Sequence, residues 1–140
     1  MTPDQVRRYA RHVLLPDVGG VGQRRLLDAA VRVDDASLPG ATAIAYLAAA
    51  GIGTIIVVDE GLVSEDDVGL LYESDDVGRP RREAVRERVA ALNPDVRVVV
   101  SGATAHVLPI LGADDPVGAL EHGAAAAAEL IREIVLGENG

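Results

Sequence analysis

The chain has no cysteine, phenylalanine or tryptophan, and each of its 13 basic residues is an arginine. Without cysteine there is no disulfide, no thiolate nucleophile and no Cys-based zinc site. Tyr9, Tyr46 and Tyr72 are the only aromatic residues. Long apolar runs are missing as well. No stretch approaches the ~18–20 residues a membrane helix needs, and the amino terminus carries no apolar signal core. These absences point to a cytoplasmic protein. Cationic excess is absent too: the net charge is −9, which disfavours binding to nucleic acid or to an anionic membrane. Neither is expected as a partner.

What is present is a globular composition. Of 140 residues, 49% are apolar, enough for one domain with a modest core. Much of that share is alanine, so the core is expected to be thin. A single domain over 1–140 is predicted, with a helical arm at 1–29, a βαβαβ core at 30–100 and a closing helix at 117–137.

"TPDQVRRYARHVLL" has the spacing of a helix, with Thr2 as N-cap, Pro3 in the first turn and Val6, Tyr9, Ala10 and Val13 on one stripe. Pro16 ends it, "PDVGGVG" reads as a turn, and "QRRLLDA" as a short helix. A strand follows at Val31–Val33, then a helix over Ala41–Ala50 capped by Gly51. "TIIVVD" is a continuous β-branched run, as in a strand covered on both faces. An acidic loop runs from Glu60 to Gly78. "RPRREAVRERVAALNP" is an amphipathic helix with Ala84, Val85, Val89 and Leu92 inward, "VRVVV" a third strand, and Gly118–Leu136 a last helix capped by Gly137. Ser101–Asp115 is left undecided between loop and fourth strand. Strands alternating with helices imply a parallel sheet. The fold class is therefore α/β: a Rossmann-like, three-layer half-domain with a small, mainly parallel sheet of three to four strands.

Four segments, in this order, resemble the ThiF/MoeB family of ubiquitin-activating-enzyme-like adenylyltransferases. They are "RYARHVLLPDVGGVGQRRLLDA", "AYLAAAGIGTIIVVDE", "DDVGRPRREAVRERVAALNPDV" and, more weakly, "GALEHGAAAAAELIREIVLG". The first three fall at nearly the family's spacing. The resemblance implies a dimer that binds ATP and Mg²⁺ and adenylates the C-terminal glycine of a ubiquitin-like or sulfur-carrier protein.

Several residues depart from that pattern. The family's GxGGxG turn falls on Asp35–Ala36–Ser37–Leu38–Pro39–Gly40, and only Gly40, the packing glycine, survives. Side chains at Asp35, Ser37 and Leu38 narrow the approach, and Pro39 removes an N–H donor from the helix start. Asp34 and Asp35 put negative charge where a triphosphate would come. One such contact at ~4 Å costs about 1 kcal/mol in water and about 4 kcal/mol near a protein surface. As a simpler alternative, Asp35 or Ser37 caps the helix. Asp59, at the end of the second strand, matches the family's ribose-binding aspartate and equally reads as an acid capping the next loop. The family's Asn and Arg phosphate contacts after this strand have no counterpart in "SEDDVGLLYESDD", where "ESDD" reads as a solvated loop or a cap. Arg81 falls where the family has a phosphate-binding lysine, although the simpler reading is a solvated arginine beside Arg79, Arg82, Arg86 and Arg88. Arg11, with Arg8 in "RYAR", matches an arginine that in family dimers reaches the other subunit's ATP; otherwise it is a surface arginine.

The family's later strand with its Mg²⁺-binding aspartate is missing between "VRVVV" and the last helix, and Asp114 and Asp115 do not match it. His12, His106 and His122 are isolated, and Ser64 and Ser101 lack a nucleophile elbow. Together these features predict a catalytically silent family member. It would have no bound ATP or Mg²⁺, vestigial positions Asp59, Arg81, Arg11 and Gly40, and an apolar surface beside the first strand. Its work would be to associate with itself, with an active family member, or with a ubiquitin-like carrier. A residual adenylyltransferase or small-ligand binder is the alternative.

Overall fold

The computed structural model describes residues 19–102 and 106–137. The arm helix expected over residues 2–15, with Arg8, Arg11 and His12, lies outside the described residues. The elements run α1 (Gly19–Asp28), β1 (Ala30–Val33), α2 (Leu38–Ala50), β2 (Thr54–Val57), α3 (Arg81–Leu92), β3 (Arg97–Val99), β4 (His106–Leu108) and α4 (Pro116–Leu136). Between β2 and α3 lie two 3-10 turns, Glu65–Asp67 and Ser74–Asp76.

The four strands form one sheet in the order β3-β2-β1-β4. All neighbours are parallel, with Val31 opposite both Ile55 and His106, and Ile55 opposite Val98. Val31, Val33, Ile55, Ile56 and Val57 are buried to 1% exposure or less, which is what a strand covered on both faces requires. The undecided segment after β3 thus supplies a fourth strand, β4, which pairs with β1 on the side away from β2. This corrects the expectation of an apolar surface beside the first strand. The exposed apolar side chains there lie farther out, at Val107 (41% exposed) and Ile110 (70%).

Two helix starts also differ from the sequence expectation. α1 begins at Gly19 and takes in residues that read as a turn. Tertiary packing overrides glycine's poor helix propensity there: Gly22, Gln23 and Leu26 are buried, and the Gln23 amide donates to the Ala50 carbonyl at 2.9 Å. α2 begins at Leu38, with Pro39 in its first turn, a position where proline's fixed φ suits the helix and its missing N–H costs no helical bond. Gly51 and Gly137 close α2 and α4 in the left-handed conformation, at φ 95° and 74°.

Candidate functional site

The chain winds from β1 through β2 to β3 on one side and reaches β4 on the other side of β1. The topological switch point therefore lies between β1 and β4, and in open α/β sheets ligands bind in the crevice outside the carboxyl ends of the strands at that point. A cleft of about 680 Å³ opens there, between the head of α2 (Ser37, Leu38, Pro39), the Glu65–Asp67 turn and the loop before α4 with Asp114 and Asp115. Its charged lining is acidic throughout.

The segment from Asp34 to Gly40 turns tightly on itself. Asp34 pairs with Arg32 (2.9 Å), and the Asp35 carboxylate accepts the Ser37 N–H (2.9 Å). Ser37 is the N-cap of α2, but its side chain makes no capping bond. Of the two candidate caps, Asp35 is thus the one whose side chain binds the backbone at the helix start. Gly40 is required by close approach: a Cβ there would run into the Asp35 carbonyl oxygen.

Asp59 leaves the end of β2 with both carboxylate oxygens engaged. Oδ1 accepts the Gly61 N–H at 2.7 Å, and Oδ2 accepts the Ala36 N–H at 2.8 Å and Arg81 Nη1 at 2.9 Å. Burial pushes the Asp59 pKa up, but the two backbone donors and Arg81 outweigh it and hold the carboxyl below the usual range. Arg81 also donates from Nε and Nη2 to Asp67 Oδ2, at 3.2 and 2.8 Å. Asp67 in turn accepts the Ser64 N–H at 2.8 Å. The expectation of a solvated Arg81 is overturned: its side chain is 18% exposed and bridges two carboxylates that are 9% and 4% exposed. A buried guanidinium is tolerated because its fork meets matched acceptors.

Sequence reasoning missed Asp67 and two further members of this site. Tyr72 is 1% exposed and donates its hydroxyl to the Ala36 carbonyl at 2.8 Å. Burial drives its phenol pKa well above the ordinary value. It stands alone in an acidic loop, and a lone aromatic in a polar segment was the available signal. Asp76, in the "ESDD" run, is buried rather than solvated. It takes Arg79 Nη1 at 2.7 Å and Arg88 Nε at 2.8 Å and accepts the Glu73 N–H at 2.8 Å. The capping half of that reading stands. Arg88 first, and then the Glu73 amide and Arg79, hold the Asp76 carboxyl below its usual range against the cost of burial.

The remaining candidates are dispersed. Asp115 caps α4 through the Gly118 N–H at 2.6 Å, His122 Nδ1 lies 2.6 Å from the Gly112 carbonyl, and Ser64 shares a reciprocal capping box with Asp67. Among the described residues no group of three or more His, Asp or Glu side chains is placed to hold a metal ion.

Known proteins share this frame. The chain is 41% identical over 100 residues to a probable adenylyltransferase/sulfurtransferase MoeZ of Mycobacterium tuberculosis, matching 70% of this chain and 26% of that one. It is 44% identical over 96 residues to a SAMP-activating enzyme E1 of Haloferax volcanii, matching 67% and 36%. It is 36% identical over 98 residues to the sulfur carrier protein ThiS adenylyltransferase of Escherichia coli, matching 65% and 37%. The chain thus spans about a quarter to two fifths of the length of these relatives. Among solved structures, that of selenomethionine PaaA superposes with a TM-score of 0.67 at 26% identity, covering 99% of this chain and 49% of PaaA. The ATP complex of E. coli tRNA N6-threonylcarbamoyladenosine dehydratase, TcdA, gives 0.70 at 23% identity, covering 85% and 55%, and supports the fold alone. The ThiF family signature matches residues 9–116, and the chain belongs to the ThiF family.

Proposed function

We propose that this chain is a ThiF-family protein that does not bind ATP and works by association, with itself, with an active activating enzyme or with a ubiquitin-like or sulfur-carrier protein. The observation that carries the reading is the occupancy of Asp59. In the family pattern this carboxylate takes the ribose hydroxyls; here both of its oxygens are held by Ala36, Gly61 and Arg81. Arg81, at the family's phosphate-binding position, is likewise committed to Asp59 and Asp67. A ribose or phosphate would have to compete with these partners for a carboxylate and a guanidinium that already neutralise each other in a mostly buried site.

The triphosphate position is no better suited. The cleft beside the head of α2 is lined by Glu65, Asp66, Asp67, Asp114 and Asp115 without a cation, so the field there opposes an anion. The residues lining this cleft do not fit ATP. Calorimetry with ATP and Mg²⁺ tests this: no heat of binding is expected, and millimolar-or-tighter affinity overturns the reading.

One observation favours a second reading, a residual activity on a carrier protein. The cleft itself is open and sits at the switch point. Pyrophosphate exchange with candidate carriers separates the two: incorporation dependent on a carrier ending in Gly-Gly supports the residual enzyme, and none is expected. Capture of such a carrier without exchange supports association.

A further inference from the structure

α4 carries a stripe of outward residues at Ala125, Glu129, Arg132 and Leu136. Steps of four, three and four keep this stripe on one side of the helix. Ala125, Glu129 and Arg132 are exposed, and Leu136, the last helical residue, is 51% exposed. The side that packs on the core is a different one, with Gly123, Ala127, Leu130 and Ile134 buried. Among the described residues neither Glu129 nor Arg132 has an ion-pair partner. A groove of about 400 Å³ between α4 and β4 borders the stripe. Val107, Leu111, Ala126 and Leu130 make its lining largely apolar, and Ala125 and Glu129 belong to both groove and stripe.

The stripe is complementary to itself. In two antiparallel helices, residues whose numbers add to one constant face each other. The register that sets Glu129 against Arg132 of a second copy also sets Arg132 against the other Glu129. The same register sets Leu136 against Ala125, once at each end. A two-fold axis between residues 130 and 131 therefore makes both ion pairs at once. The small Ala125 lets the helices approach, and the large Leu136 covers it beside the groove. A parallel pair would set Glu129 on Glu129 and Arg132 on Arg132, so charge selects the antiparallel direction. Acid against base and large against small, both symmetric about one point, are what an isologous surface needs. Docking of an unrelated partner asks for no such symmetry.

We propose that two copies of this chain pair through antiparallel α4 helices, with Glu129 of each against Arg132 of the other and Leu136 of each on the other's Ala125. The inference rests on the association reading above and names one partner and one face for it. It does not depend on whether any nucleotide binds. The ion pairs at the centre set the register, and the apolar contacts at the two ends remove exposed Leu136 from water.

Sedimentation velocity of the full chain over a range of concentrations tests the proposal. A monomer–dimer equilibrium is expected. Glu129→Arg alone, or Arg132→Glu alone, should weaken the dimer by roughly tenfold or more, since each sets like charges together. Both substitutions in one chain exchange the charges and should restore it. A monomer at every concentration overturns the proposal and leaves association with a different protein standing. A dimer indifferent to the single reversals also overturns it, and leaves self-association standing through another face. The chain has no native cysteine, so an Ala125→Cys/Leu136→Cys variant gives a second measurement. Along one helix these positions are about 17 Å apart, too far for a disulfide within a chain. Oxidation should give a covalent dimer, and oxidation that leaves only monomers overturns the register.

Discussion

Arg81 holds two carboxylates, and among the described residues neither has another cation. Its Nη1 meets Asp59 at 2.9 Å and its Nη2 meets Asp67 at 2.8 Å. Arg81→Ala would leave two largely buried acids facing each other, and breaking a buried pair in this way costs about 3 kcal/mol. Urea denaturation should show that loss, with Arg81→Lys intermediate because an ammonium cannot fork to both acids; a cost under ~1 kcal/mol would mean that the acids find other partners. Tyr72→Phe is a milder test of the same wall. It removes the hydroxyl that ties the Ala36 carbonyl to the β2–α3 connection and should cost about 1 kcal/mol, the net worth of one hydrogen bond. A neutral result would show that water replaces the hydroxyl.

At the scale of elements, the helix pair α2 and α4 is set by small residues. A Cβ on Gly123 would lie 2.7 Å from the Thr42 Cβ and run into the Pro39 carbonyl. Gly123→Ala should therefore destabilise by about 2 kcal/mol, the usual scale of overpacking. Gly20, in α1, has open space around its missing Cβ, and Gly20→Ala should stabilise by about 0.5 kcal/mol through helix propensity and reduced unfolded-state entropy. Thermal melts of the two variants should move in opposite directions; a shift of the same sign in both would refute this account of the packing. The legibility of the sequence divides along the same line. β2 and the bodies of α2, α3 and α4 were readable because apolar periodicity or β-branching runs over many residues. β4 was not, since a three-residue strand carries no period and exists only through its register with β1. The start of α1 was hidden because its glycines argue for a turn until Gln23 and Leu26 are seen in the core. At the site, the replaced glycines and Asp59 were legible as positions. The commitment of Arg81 was not, because its partner Asp67 lies 14 residues away in a loop without periodicity.

For the molecule as a whole, charge and fold pull in opposite directions as pH falls. With a net charge of −9 at pH 7 and a sequence pI near 4.7, acidification first relieves self-repulsion. The buried carboxylates then reverse the trend. Asp59 and Asp76 both have folded-state values depressed below the reference of 3.8. A depressed acid contributes stability that is fully present above its unfolded value and is lost as pH falls through its folded value, because the unfolded chain then binds the extra proton. Stability should hold between pH 5 and 7 and fall steeply below about pH 4, with about two protons taken up on unfolding in that limb. Asp76→Asn removes one of the two groups, so the limb should retain an uptake of about one proton while stability at pH 7 drops as Arg79 and Arg88 lose their shared anion. Urea titrations at half-unit pH intervals measure both quantities. An acid limb unchanged in slope by Asp76→Asn would show that Asp76 is not held below its ordinary range, and that the β2–α3 connection is fixed to α3 by packing rather than by its ion pairs.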